Sequence, residues 1–258
     1  MKVHHLNCAT FRPPLVAGGL VAHCLLIESD QGLVLVDTGF GMNEVTDPKA
    51  TIDGLSRKLL RPALDITETA ISQVEKRGYT ADDVRHVLLT HLDLDHAGGL
   101  RDFPKATVHV LDTELEAATN PRNAKERARY PKKQREGVTF RTHKAEGEDW
   151  FGFEAVKSID GLPEDVLMVP LIGHTKGHTG IAVRSGDGWL LHAGDAYFYR
   201  GEVETPPSDV FALKLFGKQT AMINQQRMSN VERLRELKAR GEVEVFSAHD
   251  PVELARLA

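Results

Sequence analysis

The chain has 258 residues, 41% of them apolar and 27% charged, the make-up of an ordinary folded protein with enough apolar side chains for a sizeable core. That composition excludes disorder, and one domain spanning 1–258 is the expectation. A formal charge of −5 argues against a general nucleic-acid binder, and no apolar run approaches the ~18 residues of a membrane span.

The first residues, Met1-Lys2-Val3-His4-His5-Leu6-Asn7-Cys8, lack the apolar stretch of a secretory signal, so the expected location is the cytoplasm. Cys8 and Cys24 are then expected as reduced thiols without assigned chemistry. Residues 25–27 and 32–36 read as an antiparallel strand pair turned at Ser29-Asp30-Gln31-Gly32, the second strand ending in Asp37-Thr38-Gly39. Residues 41–65 carry Pro48 and Pro62 and read as a long loop with one helical turn. A helical pattern over 66–77 is closed by Gly78.

Short strands follow at 84–89 and 107–111, then a helix from near Asp112. Next comes a basic run: Arg122, Lys125, Arg127, Arg129, Lys132, Lys133 and Arg135 against Glu126 alone, a surplus of six positive charges. Such a run ordinarily marks a solvated face; its sharper meaning is a rim or lid that attracts an anionic substrate. Strands continue at 138–142, in short pieces through 156, and at 166–172, 180–184 and 189–193. Residues 208–240 read as helical, with 231–237 the clearest amphipathic piece and Gly241 the stop, before a last strand at 243–246. No repeat of fixed period and no low-complexity segment interrupts the chain. Groups of strands with helices between them predict two packed sheets covered outside by helices.

The chemistry concentrates where strands end. Thr90-His91-Leu92-Asp93-Leu94-Asp95-His96-Ala97-Gly98-Gly99 follows an apolar run, and in an extended segment the period of two would turn His91, Asp93 and Asp95 to one side and Leu92 and Leu94 to the other. Gly98 and Gly99 would let the backbone turn there. Three more apolar runs end alike, in Gly173-His174-Thr175-Lys176-Gly177-His178, in Gly194-Asp195 and in Ala248-His249-Asp250. Four strand ends can converge on one cleft. His91, Asp93, Asp95, His96, His178, Asp195 and His249 are too many for one zinc ion, and two metals ~3.5–4 Å apart fit them better.

On these motifs, together with the Val36-Asp37-Thr38-Gly39 turn, the chain resembles the metallo-β-lactamase superfamily over essentially its full length, and more closely its lactonase-like and glyoxalase II-like hydrolases. The resemblance implies an α+β fold, an αββα sandwich of two mixed sheets flanked by helices, with the metals at one edge. It places His91, Asp93 and His178 on the first metal, Asp95, His96 and His249 on the second, and Asp195 between them. His174 would pack or support the site, and Asp37 would orient the neighbouring loop.

Two positions depart from the family pattern. Asp93 stands where the family has His; oxygen ligands tilt a site of two divalent ions, most simply zinc, towards manganese or iron. Asp93 would otherwise bond a ligand histidine from behind. Phe198 stands where lactonases of the family place a tyrosine, leaving Tyr197 and Tyr199 beside it as candidates to reach substrate or simply to pack.

The resulting expectation is hydrolysis of a small-molecule lactone or carboxylic ester by a metal-bridging hydroxide, with Asp95 orienting it and moving its proton. A phosphodiester or organophosphate hydrolase on the same two-metal site is the enzymatic alternative, and a non-catalytic metal-binding or sensor protein is the alternative of another class. Loops at 40–65 and 115–150 would shape the pocket and offer a surface for a homodimer.

Overall fold

Strands β1 (Lys2–Phe11), β2 (Leu20–Ser29), β3 (Gly32–Val36), β4 (Val84–Leu88), β5 (Thr107–Leu111) and β6 (Thr139–His143) lie side by side in sequence order as one sheet. Its first two pairings are antiparallel and its last three parallel. A second sheet runs β12 (Val243–Phe246), β11 (Gly188–His192), β10 (Thr179–Ser185), β9 (Val166–Pro170), β8 (Phe153–Ser158) and β7 (Glu148–Trp150), parallel only between β11 and β12. This computed structural model describes residues 1–159 and 161–258, with the side chains of 125 and 154–158 outside the description.

Both faces of the central strands are buried, which is why they read as continuous apolar runs and not as alternating ones. Leu25, Ile27, Val34, Val36 and Leu88 pack between the sheets against Val166, Met168, Ile181, Val183 and Phe246. Their neighbours in the same strands face outwards. Leu26, Leu35, Val87 and Val108 meet Ile71, Val74 and Ala117 on the helical side of the first sheet. Val169, Ala182, Leu191 and Val245 meet Val231, Leu234 and Leu237 of the long helix Asn224–Arg240 on the far side of the second. The expected sandwich of two mixed sheets with helices outside is therefore the observed architecture.

Several expected boundaries shift for identifiable reasons. In place of a long loop with one helical turn, residues 41–65 hold three short helices, α1 (Met42–Thr46), α2 (Pro48–Thr51) and α3 (Gly54–Leu60), with only 61–65 left as a longer connection. Pro48 begins a helix where its missing N–H is harmless, and Asp53 caps α3 by accepting the Leu55 and Ser56 amides. Past a 3-10 turn at Ile66–Glu68, α4 covers Ala70–Lys76; α5 (Leu94–Ala97), α6 (Asp112–Thr119) and α7 (Ala124–Arg129) follow.

The long helical region divides into α8 (Phe211–Thr220) and α9 (Asn224–Arg240). It breaks because the Met222 and Ile223 amides donate to the carbonyls of His174 and Gly173, clasping the loop that carries His174. Gly241 ends α9 at φ 75° as expected, and α10 (Pro251–Leu257) closes the chain. Among the described residues no helix is long and apolar enough to cross a membrane.

Candidate metal centre

The ends of β3, β4, β11 and β12 and the starts of β2 and β10 are stitched together by backbone hydrogen bonds. Asp37 N–H donates to Leu88 O, Thr179 N–H to Thr90 O, Ala248 N–H to Gly194 O and Val21 N–H to His249 O. Loops held in this way present their side chains on a rigid frame.

The run after β4 stays irregular only as far as Asp93 and then turns into α5, so the expected alternation fails beyond that residue. Leu92 is buried, but Leu94 lines the cavity instead of facing away from it. Gly98 and Gly99 serve close approach, not unusual torsions. Gly98 is ordinary helical backbone, and a Cβ on it would sit 2.9 Å from Gly39 O, as one on Gly99 would from Thr38 O.

Two groups of potential metal-binding atoms form here: His91, His174 and Asp195 in one, and Asp95, His96 and His249 in the other, each within 4.8 Å of one another. Asp195 stands between them and gives one oxygen to each. Its Oδ2 lies 3.3 Å from His174 Nε2 and 3.9 Å from His91 Nε2, while its Oδ1 lies 3.2 Å from His96 Nε2 and 3.0 Å from His249 Nε2.

The far nitrogens of three of these rings are already committed. His96 Nδ1–H donates to Asp37 Oδ2 at 2.8 Å, and His249 Nδ1–H to Val21 O at 2.7 Å. The Thr90 hydroxyl donates to Asp37 Oδ2, so its oxygen accepts from His91 Nδ1–H at 3.0 Å. In its neutral form each of these rings therefore turns a bare Nε2 lone pair towards the carboxylates. His91 Nε2, His96 Nε2 and Asp195 Oδ1 are buried without a hydrogen-bond partner. Lone pairs and carboxylate oxygens converging in this way repel one another unless positive charge lies among them, which is the demand a divalent cation meets.

The electrostatics show the same demand for positive charge, which a proton or a metal ion can meet. Burial pulls the His96 ring towards neutrality, yet Asp195, Asp37 and Asp95 push its pKa well above the usual histidine value. Burial likewise raises the Asp195 carboxyl, but His249, His96 and His174 hold it well below the carboxylate range. Asp37, enclosed as tightly, is kept low by His96 beside it.

His174 and His178 exchange the places expected from the sequence. His178 Nδ1–H donates to Leu171 O at 3.0 Å and its Nε2 accepts the Asp195 amide at 2.9 Å, so neither nitrogen is available. Gly194 makes that contact possible, since a Cβ on it would sit 2.6 Å from His178 Nε2. His174 takes the open position instead. Asp93 does reach the first group, its Oδ2 lying 3.1 Å from His174 Nε2 and 3.4 Å from His91 Nε2. Both of its oxygens are held, however, by a two-pronged contact from Arg129, Nε to Oδ1 and Nη2 to Oδ2, each at 2.5 Å.

The structure brings neither tyrosine to the site. Tyr197 is buried with its hydroxyl donating to Glu253 Oε1 at 3.0 Å, and Tyr199 packs under the Arg200 guanidinium, outside the cavity lining. Phe198 between them lies flat on the His249 ring, with centroids 5.5 Å apart and planes 6° from parallel.

Three contributors lacked a clear signal in the sequence. Glu114 of α6 is buried and ties two motif loops together, accepting Leu92 N–H on Oε1 and Gly177 N–H on Oε2. Thr90 links Asp37 to His91. Arg129 sat in the basic run, where a rim role was the sharper reading, but nothing local singled it out.

Above the two groups opens a cavity of about 510 Å³. Asp93, Asp95, Asp195, His174, His249 and Arg129 are exposed to it, and Phe40, Ile52, Leu59, Leu60, Leu94 and Phe216 give it an apolar wall.

Residues 17–249 match the metallo-beta-lactamase superfamily. This chain belongs to that superfamily. A Mycobacterium tuberculosis protein named probable metallo-hydrolase is 42% identical over 261 residues, covering 100% of this chain and 83% of its own length. The N-acyl homoserine lactonase of Bacillus thuringiensis is 26% identical over 231 residues, covering 88% of this chain and 80% of the lactonase. The solved structure of an N-acyl homoserine lactone hydrolase with N-hexanoyl-L-homoserine at its catalytic metal centre superposes with a TM-score of 0.76 at 20% identity, over 100% of this chain and 96% of that one. At that identity the superposition speaks for the shared fold.

Proposed function

We propose that this member of the superfamily is a metal-dependent hydrolase of a small carbonyl substrate, a lactone or carboxylic ester, working with two divalent ions. The observation that carries the reading is Asp195, whose two carboxylate oxygens address two separate histidine groups. His91, His174 and Asp195 would hold one ion, and Asp95, His96, His249 and Asp195 the other. With Asp93 held by Arg129, both sets are rich in imidazole, which favours zinc over manganese or iron.

Bound ions of this kind supply a water-derived nucleophile near neutral pH and polarise a carbonyl oxygen. The chain's own groups do the rest. Asp95 is the most accessible of the three site carboxylates, its side chain 24% exposed against 18% for Asp93 and 5% for Asp195. It is the group placed to orient the attacking water, take its proton and return it to the leaving oxygen. Among the described residues no tyrosine lines the cavity to share that task. The apolar wall of Phe40, Ile52, Leu59, Leu60 and Phe216 would seat the hydrocarbon part of the substrate and keep bulk water out. The relative named metallo-hydrolase supports the reaction class, and the one named lactonase supports the substrate class.

A hydrolysis panel of lactones, aryl esters, thioesters and phosphodiesters tests this on protein reconstituted separately with zinc, manganese and iron. Turnover of lactones or esters with zinc is the expected result. A preference for phosphodiesters would favour the second reading, for which Lys49 on the cavity wall offers a cation to an anionic substrate. No turnover in any pairing would overturn the enzyme reading and leave a metal-binding or sensor protein.

A further inference from the structure

Arg129 has no part in the chemistry just described, yet it reaches one metal group and not the other. Its Nε and Nη2 grip Asp93, Nη2 also donates to His174 Nε2 at 2.5 Å, and Nη1 donates to Thr220 O at 2.7 Å. A guanidinium tied at every nitrogen is a fixed charge, not a free receptor for a substrate anion. The His174 Nε2 atom it engages is the one that completes the group with His91 and Asp195. A cation entering there must take that lone pair from Arg129 and remain beside a side chain that stays protonated.

The other group has no such neighbour. Among the described residues, the side-chain hydrogen bonds and ion pairs of Asp95, His96 and His249 run to Asp37, Thr90, Asp195, the Val21 carbonyl and one another, with no lysine or arginine among them. The charge count separates the positions further. Arg129 neutralises Asp93, which leaves Asp37, Asp95 and Asp195 with a formal −3, and of these Asp37 lies against the His96 ring and Asp95 against the rings of His96 and His249. A first divalent ion settles on that side, and a second meets a formal −1 beside the guanidinium.

We infer that Arg129 makes the two metal positions unequal: the Asp95–His96–His249 position binds first, and the His91–His174 position binds more weakly because Arg129 competes for His174 and repels the ion. The inference rests on the two-metal reading above. Arg129 is a positioning residue, acting on the site through Asp93 and His174, and it links the unusual aspartate of the His-x-Asp-x-Asp-His run to one residue of the distant basic stretch.

Zinc titration of the full chain against a chromophoric chelator, with elemental analysis for stoichiometry, tests this without reference to turnover. The wild type is expected to take up two equivalents with dissociation constants about tenfold or more apart, and Arg129→Gln to narrow the gap to about threefold or less by tightening the weaker position. Cobalt(II) titration followed by its visible absorption should show the second set of bands appearing at lower cobalt in Arg129→Gln than in the wild type. Arg129→Lys keeps a cation without the fork and provides a variant that preserves the charge; its weak position should stay weak. Two equal equivalents in the wild type, an unchanged gap in Arg129→Gln, or equal tightening in Arg129→Lys would each overturn the inference while leaving the two-metal reading intact. A single equivalent in both the wild type and Arg129→Gln at saturating zinc would overturn both.

Discussion

The amide of Asp195 donates to His178 Nε2 at 2.9 Å, so the ring that the motif Gly-His-Thr-Lys-Gly-His offers second is a brace for the loop carrying the central carboxylate. With Nδ1 also donating to Leu171 O, His178 has no lone pair left. His174→Ala is therefore expected to remove about one metal equivalent per chain. His178→Gln, whose amide oxygen can replace Nε2 as acceptor, should keep both metals and lose about 1–3 kcal/mol of stability. Elemental analysis beside chemical denaturation separates the two. Metal loss in His178→Gln with full occupancy in His174→Ala would contradict the assignment.

Asp37 belongs to neither metal group but holds His96 Nδ1 at 2.8 Å and accepts both the amide and the hydroxyl of Thr90. Asp37→Asn would weaken the orientation of His96 and, through Thr90, of His91. A loss of about 10- to 100-fold in metal affinity is expected, measured by chelator competition. Unchanged affinity would show that the strand frame alone orients these rings.

Tyr197→Phe should leave hydrolysis within about twofold of wild type and lower stability by about 0.5–1.5 kcal/mol, because the hydroxyl meets buried Glu253 and not the cavity. Paired rate and melting measurements decide this. A tenfold or larger fall in kcat without a change in melting would restore the tyrosine to the chemistry.

Glu44 supplies a pH test away from the metal groups. Burial lifts its carboxyl from the ordinary 4.5 to about 7, although the Gly41 amide donates to it. The folded state then binds the proton more tightly than the unfolded chain, so this group's destabilising effect is absent below pH 4.5 and complete above pH 7. Glu44→Gln keeps an acceptor for Gly41 without the charge. It is expected to stabilise the protein by about 1–3 kcal/mol above pH 7, after discounting for residual solvent screening, and to change little near pH 4. Denaturation curves at the two pH values check the sign; an equal effect at both would place the cause in packing.

Much of this site was legible because its donors follow apolar runs, and strands buried on both faces end where loops must begin. That logic found His91, Asp95, His96, Asp195 and His249 together. It misled at Asp93 to Asp95, where α5 replaces the extended chain, and it had no means of choosing between His174 and His178, so the choice of His178 rested on the family resemblance and fell on the wrong ring. Both histidines follow the same strand and differ only in which backbone groups lie opposite them. Glu114 and Arg129 were hidden for the same reason: each acts on residues far away in the chain, through contacts that leave no local pattern.

The two-sheet sandwich, the superfamily and a cluster of histidines and aspartates at strand ends follow from the order of residues, because hydrophobic burial and donor chemistry are written there. Which lone pairs remain free, that Asp93 answers to Arg129, and that Asp195 divides its oxygens between two groups emerge from the packed fold. Those outcomes depend on hydrogen bonds and charges meeting across the fold, and a side chain's availability is fixed only after every neighbour has taken its place.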